Sequence, residues 1–241
     1  MFTIVQKELN AFFSSLMAYV IIGFFLLLMG LCMWIFPETN VLDEGYADMQ
    51  TLFRFSPYIF MFLVPAITMH SLAEEKSVGT LEILLTTPLS LTYIILGKYL
   101  ASLIIILLTL LFSSIYYFSV YCLGSPPGNI DTAAVIGAYM GLMLLAAVFA
   151  AVGLLASSLT KRQIVAFLFG VLTCFLLYQG FDAWITLQTW KSYALLIAQL
   201  GIHYHYEALS RGVIDTRDLL YFASMTVVFL FATGLVLNYR T

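Results

Sequence analysis

The segment Glu74-Glu75-Lys76-Ser77-Val78-Gly79-Thr80-Leu81-Glu82-Ile83-Leu84-Leu85-Thr86-Thr87-Pro88 combines a charge cluster, a glycine turn and a short amphipathic pattern. Thr80 can start a helix, and Leu81, Leu84 and Leu85 fall on one face of it. Thr87-Pro88 stops it, because the residue before a proline is pushed out of the helical region. Such a helix has two uses: a connector lying on a surface, or a rigid lever that docks into a partner and passes force to the elements on either side. As a lever, it would make polar contacts through Glu75, Lys76 and Glu82 and hinge at Gly79.

Other chemically suggestive residues lead less far. His203-Tyr204-His205-Tyr206-Glu207 sets two imidazoles two residues apart, which share a face on a strand but point nearly opposite ways on a helix. That favours a membrane-interface segment over a metal site. His70 has Glu74 one turn later, either an anchoring pair or a pH-sensitive one. Gly124-Ser125-Pro126-Pro127-Gly128 lacks the spacing of a nucleophile elbow, and no HExxH occurs. Gly97-Lys98 lacks the earlier glycine of a phosphate loop, so ATP hydrolysis would fall to another polypeptide. No catalytic residue, metal ligand or bound cofactor is expected.

The elements that must position these residues follow from composition. The chain of 241 residues is 62% hydrophobic and 10% charged, whereas soluble domains carry about 25% charged residues. A water-soluble globule and a disordered chain are excluded, and a net charge of -3 leaves no basic surface for nucleic acid. Cys32, Cys122 and Cys174 are an odd set without metal-ligand spacing. Crossing a bilayer takes roughly 20 apolar residues as a helix. Six charge-free runs qualify: Ser14 to Phe36, Phe55 to Ala73, Tyr99 to Cys122, Ala133 to Ala156, Ile164 to Phe181 and Leu219 to Asn238. They lack strand alternation, so the fold class is an all-α integral membrane bundle of six transmembrane helices. The absence of acids and bases within them argues against ion-driven transport and intramembrane hydrolysis.

One transmembrane domain is expected over 1–241. Residues 1–13 set Ile4, Val5, Leu9, Phe12 and Phe13 against Thr3, Gln6, Lys7 and Asn10 with helical period, an interfacial elbow helix. The apolar run behind it is too long for a signal peptide and lacks a cleavage site. A coupling loop covers 74–98. Residues 182–218 contain an apolar stretch too short to span, Tyr193 to Ile202, which points to an outer re-entrant or surface hairpin before the last span. Six spans put both termini on one side. The segments on that side hold Lys7, Lys76, Lys98, Lys161, Arg162 and Arg240 against four acids, and the opposite ones hold Arg54, Lys191, Arg211 and Arg217 against nine. The termini are therefore expected in the cytoplasm. Trp34, Trp184 and Trp190 fall near the outer ends. Small residues four apart in the fourth run, Gly137 with Gly141, Ala146 with Ala150 and Ala147 with Ala151, prepare close packing, either within the chain or against a second subunit.

The run Glu75 to Pro88, with Gly79, Thr80, Leu81, Glu82, Leu84 and Pro88 in place, resembles the coupling helix of type-2 ABC exporter permeases. Ala156 to Gln163 is similar to that family's turn before the fifth span. Lys7 to Phe13, Asn40 to Gly45, Leu123-Gly124 and Ser210 to Asp218, with Arg211, Gly212 and Asp215, resemble more narrowly the gliding-motility-associated ABC permeases, the GldF family. The resemblance implies a non-enzymatic permease in a bacterial inner membrane that moves a substrate outward. It implies as partners a second permease copy or relative, cytoplasmic ATPase subunits carrying ATP and Mg, and an accessory membrane protein with a large outer domain. It also permits a role in assembly or motility in which motion passes to outer partners without cargo. Substrate-binding residues stay open.

Overall fold

A computed structural model describes residues 1–43, 45, 47–80, 90–186 and 198–239, with the backbone alone for 184–186. These residues form eight α-helices and no strand: α1 (Phe2–Ser14), α2 (Leu16–Trp34), α3 (Gln50–Val78), α4 (Leu91–Leu123), α5 (Thr132–Leu159), α6 (Gln163–Thr186), α7 (Ile202–Ser210) and α8 (Thr216–Tyr239). Six of them, α2 to α6 and α8, are long and apolar enough to cross a membrane. The chain is an all-α, multi-pass integral membrane protein. One end of the bundle carries α1 and the α3–α4 connection, and the other carries α7; they are called the elbow end and the hairpin end below.

Helices α3 and α4 overrun the charge-free windows in which the sequence places the spans. α3 begins ahead of Arg54 and continues through Glu74, Glu75 and Lys76, and α4 begins seven residues before Lys98. Of the expected coupling loop 74–98, residues 74–78 therefore belong to α3 and 91–98 to α4, and 81–89 lie outside the described residues. A charge ends a hydropathy window, but it does not end a helix when its partner is at hand.

Serines make the elbow. Ser15 is extended, at φ -94° and ψ 153°, separating α1 from α2. Ser14 and Ser15 donate through their hydroxyls to the carbonyls of Ala11 and Phe12, satisfying acceptors that the end of α1 leaves open. At the far end, Asp131 caps α5 by accepting from the amides of Ala133 and Ala134, both at 3.1 Å.

Helix α5 is the hub, packed against α3, α4, α6, α7 and α8. Buried residues make up 72% of its apolar window but only 11% of that of α8, which leaves most of α8 to lipid or a partner. Small residues let neighbours reach the α5 backbone. A Cβ on Gly137 would stand 2.9 Å from the Gly212 carbonyl oxygen, and one on Gly141 would stand 2.5 Å from Leu209 Cβ. These two glycines therefore serve packing within the chain. Pro57 in α3 cannot donate to the Phe53 carbonyl one turn back. The buried Tyr206 hydroxyl on α7 donates to that carbonyl instead, at 2.7 Å. A sequence break in one helix thereby becomes the docking point of another.

The tightest approach is at Gly153, where an added Cβ would lie 2.0 Å from Thr68 Oγ1 and 3.0 Å from Thr68 Cβ. Alanine normally favours a helix over glycine by about 1 kcal/mol. Here the β-branched Thr68 cannot swing clear, so Gly153→Ala is expected to destabilise by about 1–3 kcal/mol. Melting curves of the detergent-solubilised protein should show that loss, and Thr68→Ala in the same chain should recover most of it.

Candidate functional site: an ion network at the elbow end

Lys98, in the second turn of α4, is 2% exposed. Its Nζ donates to Glu8 Oε1 on α1 at 2.8 Å and to the Ser71 carbonyl on α3 at 2.7 Å, and it lies 2.9 Å from Glu75 Oε1. An ammonium has three donors, and three oxygens from two other helices surround this one. Lys7 reaches the same Glu75 oxygen at 3.2 Å. Two bases and two acids thus form a locally neutral cluster on three helices. The members differ in weight. The Lys7 side chain is 62% exposed, which makes its pair a surface contact worth about 0–1 kcal/mol. Lys98 is buried and the Glu75 side chain is mostly so, at 13% exposed, and stranding one of two such charges costs about 3–5 kcal/mol.

Local sequence makes the cluster possible. Ile4 and Val5 bury the apolar face of α1. Ile4 lies over Gly97, where a Cβ would stand 3.0 Å from its Cγ2, so the glycine lets α1 settle close enough for Glu8 to reach Lys98. Gly97-Lys98 lacks the context for a phosphate loop; it is a helix contact followed by a buried cation. Immediately beyond Glu75, α3 ends at Gly79, whose φ of +81° is left-handed and suits glycine.

Of the predicted coupling residues, Glu75 sits in the network and Lys76 reaches across to the Ser158 carbonyl at the end of α5. Gly79 caps α3, and Thr80 Oγ1 donates to the Glu75 carbonyl at 3.4 Å. Leu81, Glu82, Leu84 and Pro88 lie outside the described residues, as do Glu44, Lys191, Trp190, Arg240 and the Trp184 side chain. Ser157 adds a second tie. Its hydroxyl donates to the Met69 carbonyl and accepts from the amides of Leu72 and Ala73, so the last turn of α5 holds the same stretch of α3. His70 Nδ1 lies 3.3 Å from Glu74 Oε2. A cavity of about 530 Å³ opens beside the network, lined in part by Lys7, Glu8, His70, Glu75 and Lys98. Glu75 Oε2 and His70 Nε2 are buried there with no hydrogen-bond partner among the described residues.

The outer residues Arg211, Gly212 and Asp215 form a separate unit at the hairpin end. Arg211 pairs with Glu207 at 2.7 Å, and Gly212, at φ +80°, turns the chain out of α7 against Ala134 of α5. Asp215 opens α8 by accepting from the Arg217 amide at 3.0 Å, a bond that holds its carboxyl below the usual carboxylate range. The two imidazoles of α7 diverge: His203 meets Asp182 on α6 at 2.8 Å, and His205 meets Asp218 on α8 at 2.7 Å. Only part of the expected 182–218 hairpin is described, and in it α7 is a short helix stitched to α3, α5, α6 and α8.

A six-span bundle with an elbow helix locked to the end of α3 and the start of α4 frames the comparison with known families. The family described as ABC-2 family transporter protein matches residues 2–238. The chain belongs to the ABC-2 transporter family. It is therefore a membrane-spanning permease subunit of an ABC transporter, a kind of subunit that normally does no catalysis and works with an ATPase. No curated protein matches the sequence at a significant level. The ABC-2 permease contains what sequence reasoning missed, the buried Lys98. Its signal was a lysine directly abutting a long apolar run, with Glu8 and Glu75 as available partners.

Lys98→Met is expected to lower stability by about 3–5 kcal/mol, because it strands a buried carboxylate. Lys7→Met should change stability by no more than about 1 kcal/mol. Adding Glu75→Gln to Lys98→Met should recover part of the loss. Thermal melting of the four proteins in one detergent checks this ordering.

Proposed function

We propose that this permease moves a substrate outward when a separate ATPase docks on the connection that follows Gly79, with both termini and the elbow end in the cytoplasm. The observation that carries this reading is the Lys98 network. It fixes the last turn of α3 and the first turns of α4, the two sides of the proposed docking loop, to the elbow helix. A push on that loop then moves α1, α3 and α4 together instead of bending the loop alone. Ser157 and Lys76 extend the motion to α5, the helix on which most of the bundle packs. The modest excess of basic residues at the elbow end supports its cytoplasmic placement.

In this reading Glu75, Lys76, Gly79, Thr80, Leu81, Glu82, Leu84 and Pro88 form the coupling element, and Lys7 and Glu8 anchor the elbow. ATP and Mg would reside on the ATPase. A second permease would complete the pathway, and lipid would cover the remaining apolar surface. The likeness of Lys7 to Phe13 and Ser210 to Asp218 to the gliding-motility permeases supports a finer assignment to that group, with an accessory protein at the hairpin end.

Two substitutions test the docking surface. Gly79→Pro forces φ near -65° where the chain needs +81°, and Leu84→Asp places a charge on the apolar face of the loop. Both chains should insert normally and lose co-purification with a co-expressed partner ATPase. Undiminished capture of ATPase by both variants would remove this assignment.

A further inference from the structure

Beside the Lys98 network, the cavity of about 530 Å³ lies between α1, α3 and α4, within the size range of small-molecule sites. Two of its lining residues carry buried atoms with no hydrogen-bond partner among the described residues, Glu75 Oε2 and His70 Nε2. The other Glu75 oxygen is in use, since Oε1 takes Lys98 at 2.9 Å and Lys7 at 3.2 Å. The tautomer of His70 follows from its neighbour. Nδ1 faces Glu74 Oε2 at 3.3 Å, and a carboxylate only accepts, so Nδ1 carries the proton and Nε2 of the neutral ring is left with a lone pair. Both unused atoms are acceptors, and both call for a donor.

Most of the wall's own donors are committed elsewhere. The Lys98 ammonium spends its three on Glu8, Glu75 Oε1 and the Ser71 carbonyl. The hydroxyls of Ser15, Thr80 and Ser102 donate to the backbone carbonyls of Phe12, Glu75 and Tyr99. Among the described charged groups that line the cavity, Glu8, Glu74 and Glu75 stand against Lys7 and Lys98, which leaves one acid in excess. Apolar Phe12, Met17, Ile67 and Ile105 complete much of the lining.

We propose that this cavity binds a primary ammonium group, carried by an aminophospholipid headgroup or by a free amine. A primary ammonium is a compact positive charge with three donors, which offsets the excess acid and supplies what Glu75 Oε2 and His70 Nε2 lack. In an aminophospholipid the phosphodiester sits two carbons from the ammonium, where the exposed Lys7 gives it a counter-charge, and the apolar wall takes the carbons beyond. A quaternary ammonium has the charge without the N–H donors and leaves both acceptors unpaired. A divalent cation fits poorly, because no three potential metal ligands come together among the described residues and two ammonium groups already stand in the wall.

The test is calorimetric titration of the detergent-solubilised full chain at pH 8 with three probes: dihexanoylphosphatidylethanolamine, dihexanoylphosphatidylcholine and ethanolamine. Saturable binding of the phosphatidylethanolamine with much weaker binding of ethanolamine identifies a headgroup site, and comparable binding of both identifies a free-amine site. The phosphatidylcholine should bind at least about tenfold more weakly than the phosphatidylethanolamine, and His70→Phe should weaken binding of the primary amine about tenfold, the loss of one hydrogen bond to a charged group. Glu74→Gln removes the excess acid at an exposed position and should weaken binding less. His70→Phe keeps an aromatic ring at a half-buried position, so its melting temperature should hold. Absence of binding by both primary amines, equal binding of the phosphatidylcholine, or unchanged affinity in His70→Phe would overturn the proposal. Binding here needs no ATPase, so either result leaves the docking assignment untouched.

Discussion

The elbow end of this permease depends on pairing one ammonium that is almost wholly withdrawn from water. Lys98 is sealed inside three helices, and an unpaired charge in such a place costs several kcal/mol. The fold meets that cost by bringing Glu8 from α1 and Glu75 and a carbonyl from α3 to the same point. Each partner then imposes its own condition. α1 must lie against α4, which Gly97 permits, and α3 must stay helical to its last turn before Gly79 releases the chain. The amphipathic elbow and the overrun of α3 and α4 answer one electrostatic requirement.

The two ends of the bundle use polar groups differently. At the elbow end a compact cluster joins the elements flanking the loop that an ATPase would engage. At the hairpin end, α7 is held by single directional contacts: Tyr206 on the carbonyl that Pro57 leaves free, His203 and His205 on separate aspartates, and Gly137 and Gly141 admitting the chain close to α5. Between the ends the contacts are mostly apolar, with a few hydroxyl bonds such as Tyr99 to the Ala147 carbonyl, α5 at the centre and α2, α6 and α8 largely outward-facing. Such a body carries displacement along its helices. That suits a subunit driven from one end more than one that binds and turns over a ligand in its middle.

Much of this was legible in the sequence. Charge-free runs of spanning length mark all six membrane helices, and the mixed pattern of 1–13 marks α1. The Gly79 turn and the His70–Glu74 pair follow from local spacing alone. The limits were long-range. A hydropathy window treats Lys98 as the end of a loop because nothing near it in sequence neutralises it; its partners are 90 residues upstream and, at Glu75, in another helix. The role of Pro57 was equally hidden, since its freed carbonyl is met by Tyr206 from 153 residues beyond Phe53. Small residues four apart in α5 announced close packing, but the neighbours they admit could be identified only from the structure.

The central claim is that the elbow helix moves with the first turns of α4 because the Lys98 cluster binds them. The most direct measurement is the distance between spin labels on Asn10 and Thr92, both exposed, in the complex with its ATPase before and after ATP is trapped. A single narrow distribution that stays in place on trapping, and broadens when Lys98→Met is introduced, is the predicted result. A wild-type distance that shifts with nucleotide, or one indifferent to the loss of Lys98, would contradict the account.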